Sequence, residues 1–247
     1  MKKRLTILGI AVDRVDYQEA LTIFDGFMKG SGFHFIVTPN SEIVVNASKD
    51  ANLKQIIAAA DLVIPDGVGL VYASRMIGEP LNERVTGIDF LGKILAYLEE
   101  TGQSIFFLGS KPGIAEMAAE KMKEKHPKLS VAGTHDGYFK LDQETSLVAE
   151  INQSGADFLC VALGSPKQEE FLYRHRLALT MKAAIGVGGS LDVWAGTLKR
   201  APEFYRKNGL EWLYRFLQQP SRYKRMAALP IFMLKVLLTK GDPEKNH

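Results

Sequence analysis

Residues 60–69 read A-D-L-V-I-P-D-G-V-G. Leu62–Ile64 is a short apolar run, the pattern of a strand buried on both faces. Pro65 ends it, because proline has no N–H to offer a sheet ladder. Asp66, Gly67 and Gly69 follow, and then an apolar run of helical texture. Strand, tight turn and helix in succession predict one unit of an open α/β sheet. In such sheets ligands bind in the crevice beyond the carboxyl ends of the strands. Asp66 stands at that position, between a residue that stops pairing and one that permits close approach. Its carboxylate either faces a substrate or N-caps the helix that follows.

The pattern repeats outward from this unit. Leu5–Val12 is a short apolar run read as a first strand. Asp16 and Glu19 form a D-x-x-E start for a helix carrying Ala20, Leu21, Phe24 and Phe27 on one face. Phe33–Val37, Ser104–Leu108, Asp157–Leu163 and Lys182–Val187 read as strands. Between them, residues 41–48, 50–60, 86–98, 111–125 and 167–179 read as helices, with Gly102 stopping the helix that begins at Thr86. Alternating strands and helices predict a Rossmann-like α/β fold, a mostly parallel sheet with helices on both faces.

Polar and glycine clusters sit at five strand ends: T-P-N-S-E (38–42), P-D-G-V-G (65–69), G-S-K-P-G (109–113), G-S-P-K-Q-E (164–169) and G-G-S-L-D (188–192). Each alone is an ordinary loop composition. At one end of one parallel sheet they would line a crevice with backbone N–H groups and helix N-termini, a setting suited to phosphate. The dinucleotide pattern G-x-G-x-x-G and the P-loop pattern are both absent. No two aspartates are spaced i, i+2, so the D-x-D that holds a divalent metal in many sugar-nucleotide transferases is missing and no metal is expected. A departing diphosphate would then be neutralised by Arg, Lys and helix dipoles. Arg84, after a loop, is suited to a bidentate carboxylate or phosphate contact, or is a surface arginine. Gln168 opens a helix, where its amide could bond a sugar hydroxyl or do nothing special. The five histidines have no ligand spacing.

A chain of 247 residues, 46% hydrophobic and 24% charged, suits one folded domain plus an extension. Its single cysteine, Cys160, excludes a disulfide framework and reads as a buried structural thiol. Asp13 and Arg14 end the first apolar run too early for a signal peptide. No apolar stretch approaches the ~20 residues needed to span a bilayer, so a cytoplasmic location is expected. Residues 196–247 carry eleven Lys/Arg against four acids, whereas the remainder carries 20 against 24. Aromatics interleave with those bases, and Met226–Thr239 is apolar around Pro230 and Lys235. An amphipathic helix at a membrane interface fits, as does a helical hairpin packed on the body or on a partner. The body has no nucleic-acid fold signature, so no nucleic acid is expected as partner. The division is therefore an α/β body, 1–195, and a helical basic C-terminal appendage, 196–247.

T-P-N-S-E, A-D-L-V-I-P-D-G-V-G, E-R-V-T-G-I-D (83–89), H-D-G-Y-F (135–139), G-S-P-K-Q-E, the run from Gly186 to Pro202 and G-L-E-W-L-Y-R-F (209–216) resemble, in order, the WecG/TagA/CpsF family of bacterial glycosyltransferases. The resemblance implies transfer of a sugar from a UDP-sugar donor to a polyprenyl-diphosphate-linked acceptor at the inner face of the cell membrane, by a peripheral protein. In the TagA branch the sugar is N-acetylmannosamine, the acceptor is lipid-linked N-acetylglucosamine, and the product feeds wall teichoic acid. That branch inverts and needs no metal. Its base matches Asp66, and its sugar and acceptor pocket matches Thr38, Asn40, Arg84 and Gln168. Its appendage arginines match Arg215, Arg222 and Arg225. The loop of Gly186, Gly188, Gly189 and Ser190 would meet the diphosphate. Other readings are transfer of another hexose such as N-acetylmannosaminuronic acid, a membrane-docking nucleotide-sugar-binding protein without catalysis, and a soluble Rossmann-like enzyme of another nucleotide. The residues are compatible with a homo-oligomer.

Overall fold

The computed structural model describes residues 4–218 and 228–239. The apolar run at the start is a hairpin, not one strand of the main sheet. β1 (Arg4–Ile7) pairs antiparallel with β2 (Ile10–Asp13), in register from Arg4↔Asp13 to Ile7↔Ile10. The turn residues Leu8 and Gly9 have φ of 51° and 77°. Two positive φ values give a turn whose twist matches the strands it joins, and a leucine there hides the turn inside an apolar run. The buried Asp13 carboxylate accepts from Arg4 Nε at 2.9 Å and from the Val63 N–H at 2.7 Å. The hairpin thereby satisfies an edge N–H of the main sheet, which an exposed edge strand would leave open.

That sheet has six strands: β3 (His34–Val37), β4 (Leu62–Val63), β5 (Ser104–Gly109), β6 (Ser130–His135), β7 (Phe158–Ala162) and β8 (Ala183–Gly186). All pairings are parallel, in the order β4-β3-β8-β7-β5-β6. The strands come where the apolar runs predict them, except β6. S-V-A-G-T-H has no apolar run to announce it, because it is a half-exposed edge strand. Along each inner strand, side chains alternate between two cores. Phe35, Val37, Val63, Phe106, Leu108 and Val161 face one, and Ile36, Leu62, Ile105, Phe107, Phe158 and Ile185 face the other. Cys160 lies in the second, where burial pushes its thiol pKa up.

The helices are α1 (Tyr17–Lys29), α2 (Ser41–Ala47), α3 (Ala51–Ala58), α4 (Val68–Met76), α5 (Gly87–Thr101), α6 (Ile114–Lys125), α7 (Glu144–Gln153), α8 (Lys167–His175) and α9 (Ser190–Trp194), followed in the extension by α10 (Glu203–Lys207), α11 (Glu211–Gln218) and α12 (Ala228–Thr239). Asp16 with Glu19 closes a capping box on α1, Asp50 caps α3 and Gly102 ends α5 in the left-handed region, as expected, while Thr86 is the N-cap of α5 and not its first helical residue. The helix read over 167–179 stops at His175, and α7 had no counterpart in the sequence reading. α12 packs on α2 and α4 and sends Phe232 and Val236 fully into the core. Its outer side leaves Ile231, Leu234, Leu237 and Leu238 exposed. Among the described residues no helix is long and apolar enough to cross a membrane.

Candidate active site

A parallel sheet delivers every strand's carboxyl end to the same edge, so the five polar loops lie along one edge of the sheet. Asp66 follows β4. Its N–H donates to the Pro39 carbonyl at 3.0 Å, which ties this loop to the one after β3. It does not cap α4: the N-cap is Gly67, with no side-chain bond. Instead Oδ2 of Asp66 accepts the Gly87 N–H at 3.2 Å, at the start of α5. The positive end of that helix faces the carboxylate. Close approach of the neighbouring turn depends on Gly69, where a Cβ would stand 2.0 Å from Ser41 Oγ.

Thr38 and Asn40 border the same point. Thr38 Oγ1 donates to the Gly186 carbonyl at 2.9 Å and lies within 3.4 Å of where a Gly87 side chain would begin. Asn40 Oδ1 accepts the Ile43 N–H at 3.0 Å, capping α2. Thr38 thus ties β3's loop to β8, and Asn40 fixes the start of α2. Gln168 is only 2% exposed. Its Oε1 accepts the Gly188 N–H at 2.9 Å and its Nε2 donates to Glu169 Oε1 at 2.8 Å. Burial pushes the Glu169 carboxyl pKa up. Gln168 is therefore a clamp beneath the β8 loop, one layer below the crevice surface. Within that loop the N–H groups of Val187, Gly188 and Ser190 are bonded to Val161 O, Gln168 Oε1 and Val187 O. Ser190 Oγ donates back to the Val187 carbonyl at 2.7 Å. The loop is held by its own bonds, which leaves the Gly189 turn as its outward part.

Arg84 is no surface arginine: Nη2 donates to Glu211 Oε2 of α11 at 2.6 Å. Of the appendage arginines, Arg215 lies on α11, while Arg222 and Arg225 lie outside the described residues.

Three further residues lie in this region: Asp89 and Asp192 end the E-R-V-T-G-I-D and G-G-S-L-D runs, whereas no sequence pattern points to Tyr17. Tyr17, on α1, places its hydroxyl 2.9 Å from the Thr86 N–H, which donates to it. Burial, followed by the charges of Asp89 and Asp66, outweighs its bonds to Thr86 and pushes the phenol pKa up. Asp89 accepts from Arg200 Nη2 at 2.5 Å and from Thr86 Oγ1 at 2.7 Å. Burial works against its charge, but these bonds prevail and hold the carboxyl below the usual range. Asp192 accepts from Ser110 Oγ at 3.0 Å, joining the β8 and β5 loops. Beyond β6, His135, Asp136, Tyr138 and Phe139 of the H-D-G-Y-F run line a smaller hollow of about 300 Å³.

The model of the glycosyl transferase WecG/TagA/CpsF family matches residues 5–246. A Bacillus spizizenii protein is 36% identical over 213 residues, covering 86% of this chain and 82% of its own length. A Staphylococcus aureus (strain MRSA252) protein is 35% identical over 244 residues, covering 98% and 95%. A Bacillus subtilis (strain 168) protein is 34% identical over 220 residues, covering 86% and 85%. All three carry the name N-acetylglucosaminyldiphosphoundecaprenol N-acetyl-beta-D-mannosaminyltransferase.

Proposed function

The chain belongs to the WecG/TagA/CpsF family of glycosyltransferases, and from that premise we propose that it moves N-acetylmannosamine from UDP-N-acetylmannosamine to undecaprenyl-diphosphate-linked N-acetylglucosamine with inversion. The names of its relatives support donor sugar and acceptor. The observation that carries the chemistry is the position of Asp66, at the mouth of the crevice where the β3, β4 and α5 segments converge.

Asp66 acts as general base. It takes the proton of the acceptor hydroxyl as that oxygen attacks the anomeric carbon from the face opposite UDP. The C–O bond to the diphosphate breaks with its electron pair on UDP. One displacement with one base leaves no covalent sugar–enzyme intermediate, as in inverting glycosidases. Thr38, Asn40 and Arg84 border the sugar and acceptor, and Gln168 holds the Gly186–Ser190 loop against the diphosphate. Because the N–H groups of that loop are largely engaged, Arg215, Arg222 and Arg225 neutralise most of the charge on UDP. The absence of D-x-D supports a metal-independent reaction. The exposed leucines of α12 and the basic extension support peripheral attachment to the inner membrane face, with any homo-oligomer left to a sizing measurement.

The test is UDP release by purified protein from UDP-N-acetylmannosamine and a lipid-diphosphate-N-acetylglucosamine acceptor, with EDTA present. Acceptor-dependent release is expected. Release only with a different UDP-sugar would replace the donor, release only with added metal would remove metal independence, and binding of UDP without any transfer would favour a non-catalytic role.

A further inference from the structure

Next to Asp66 the crevice opens into a cleft of about 670 Å³ between α4, residues 83–89 and α10. Its lining includes Thr86 and Asp89, which lie one before and two after Gly87, whose N–H is bonded to Asp66. Five bases and four acids line it, and most of them are matched. Arg84 pairs with Glu211, Arg200 with Asp89, and Lys207 with Glu203. The fourth acid, Glu83, accepts the Tyr17 N–H at 3.3 Å.

Arg75 and Arg206 remain. Neither has an ion-pair partner among the described residues, although Arg206 acts at longer range on Asp89. The Nε atoms of Arg206, Arg84 and Arg200 are buried and have no hydrogen-bond partner among the described residues. Buried guanidinium N–H groups are costly without an acceptor. Arg75 and Arg206 therefore leave unmatched positive charge in the cleft, and arginine suits a ligand with several anionic oxygens, phosphate in particular.

We infer that Arg75 and Arg206 form a diphosphate subsite in this cleft, and that it takes the diphosphate of the polyprenyl-linked acceptor. The assignment rests on the reading of the site as a lipid-linked sugar transferase. An acceptor sugar with its hydroxyl at Asp66 then projects its diphosphate along the cleft towards Arg75, which is exposed on α4. The exposed Tyr72 on the same helix also lines the cleft and presents an apolar flank. α12 packs against α4 as well. The prenyl chain therefore leaves the cleft beside the helix whose leucines are exposed. UDP's own diphosphate has the same chemistry, so the test must separate the two sources.

Binding is read directly, by calorimetry on the full chain, with geranyl diphosphate as one probe and UDP as the other. For Arg75→Gln/Arg206→Gln we expect geranyl diphosphate affinity to fall about 10-fold or more per arginine, with UDP affinity unchanged. Unchanged geranyl diphosphate binding overturns the subsite. Loss of UDP binding alone assigns these arginines to the donor and overturns the acceptor assignment. If both ligands are lost together, Arg75→Lys/Arg206→Lys decides: it must retain UDP and bind geranyl diphosphate more weakly than wild type, and wild-type affinity for the prenyl probe overturns the subsite. Since no transfer is measured, a protein that binds geranyl diphosphate through these arginines but never transfers sugar would refute the proposed reaction and leave the subsite standing.

Discussion

Glu211 on α11 places its carboxylate 2.6 Å from the guanidinium of Arg84, 127 positions earlier in the chain. Together with Arg200 and Asp89, this ion pair joins the extension to the body. Glu211 is only 7% exposed, so the pair is made largely out of water. Arg84→Gln removes the charged partner bonded to Glu211 at 2.6 Å and should cost about 2 kcal/mol, the worth of a hydrogen bond between charged groups. Glu211→Gln keeps a hydrogen bond and should cost about 1 kcal/mol. Thermal melts of the two variants check the order, and limited proteolysis should cut the segment around 203–218 faster in both. Equal melting points would mean that the pair does not hold the extension.

Asp66→Asn retains an oxygen for the Gly87 N–H but cannot take a proton. Turnover should fall about 10²- to 10⁴-fold, with UDP affinity and melting temperature near wild type. Steady-state kinetics beside UDP titration checks this, and near-normal turnover would remove Asp66 as base.

The β8 loop predicts a coupled pair. A Cβ on Gly186 would stand 2.7 Å from Gln168 Nε2 and 2.9 Å from its Cδ. Gly186→Ala should therefore destabilise by about 1–3 kcal/mol through overpacking. Gln168→Ala should loosen the loop by releasing the Gly188 N–H. In the double variant the clash is gone, so stability should exceed the sum of the single effects. Donor affinity should stay low in all three, because none keeps the loop in its native shape. Denaturant unfolding of the four proteins measures the coupling.

Away from the crevice, Glu144 should make the stability of the fold depend on pH. It accepts from Arg174 Nη1 at 2.5 Å and from His175 Nε2 at 2.7 Å. Burial opposes its charge, yet the bonds to Arg174 and His175 prevail and hold the carboxyl below its ordinary 4.5. A folded-state value below the unfolded one stabilises the fold at higher pH, and that contribution is lost as pH falls through the folded value. Wild type should thus exceed Glu144→Gln in stability at pH 7, and the gap should close below 4.5. A gap that is constant with pH would separate the stabilisation from ionisation.

The outer face of α12 should touch lipid. Leu234→Ser/Leu238→Ser removes exposed side chains only, so the melting temperature should hold, while co-sedimentation with anionic vesicles should drop by roughly 10-fold or more. Phe232→Ala, by contrast, opens the core at a fully buried position and should cost about 3–5 kcal/mol. Retained vesicle binding in the double serine variant would move the contact to the basic residues.

Most of the sheet was legible in the chain because fully buried parallel strands are short apolar runs, as at 104–109 and 158–162, and because Asp16, Asp50, Thr86 and Gly102 mark helix ends by chemistry local to a few residues. Asp66 was legible for the same reason: Pro65 and Gly67 announce a strand end. β6 was not, since a half-exposed edge strand has no apolar signature, and the hairpin was masked by Leu8 in its turn. What only the tertiary structure decided is which side chains meet. Gln168 lies under the β8 loop, Asp66 bonds α5 rather than α4, and Arg84 is taken by Glu211. Tyr17 and Asp89 enter the crevice from helices with ordinary amphipathic patterns. Local sequence encodes backbone geometry and burial over a turn or a strand, whereas a salt bridge across 127 positions exists only once the sheet has fixed both ends in space.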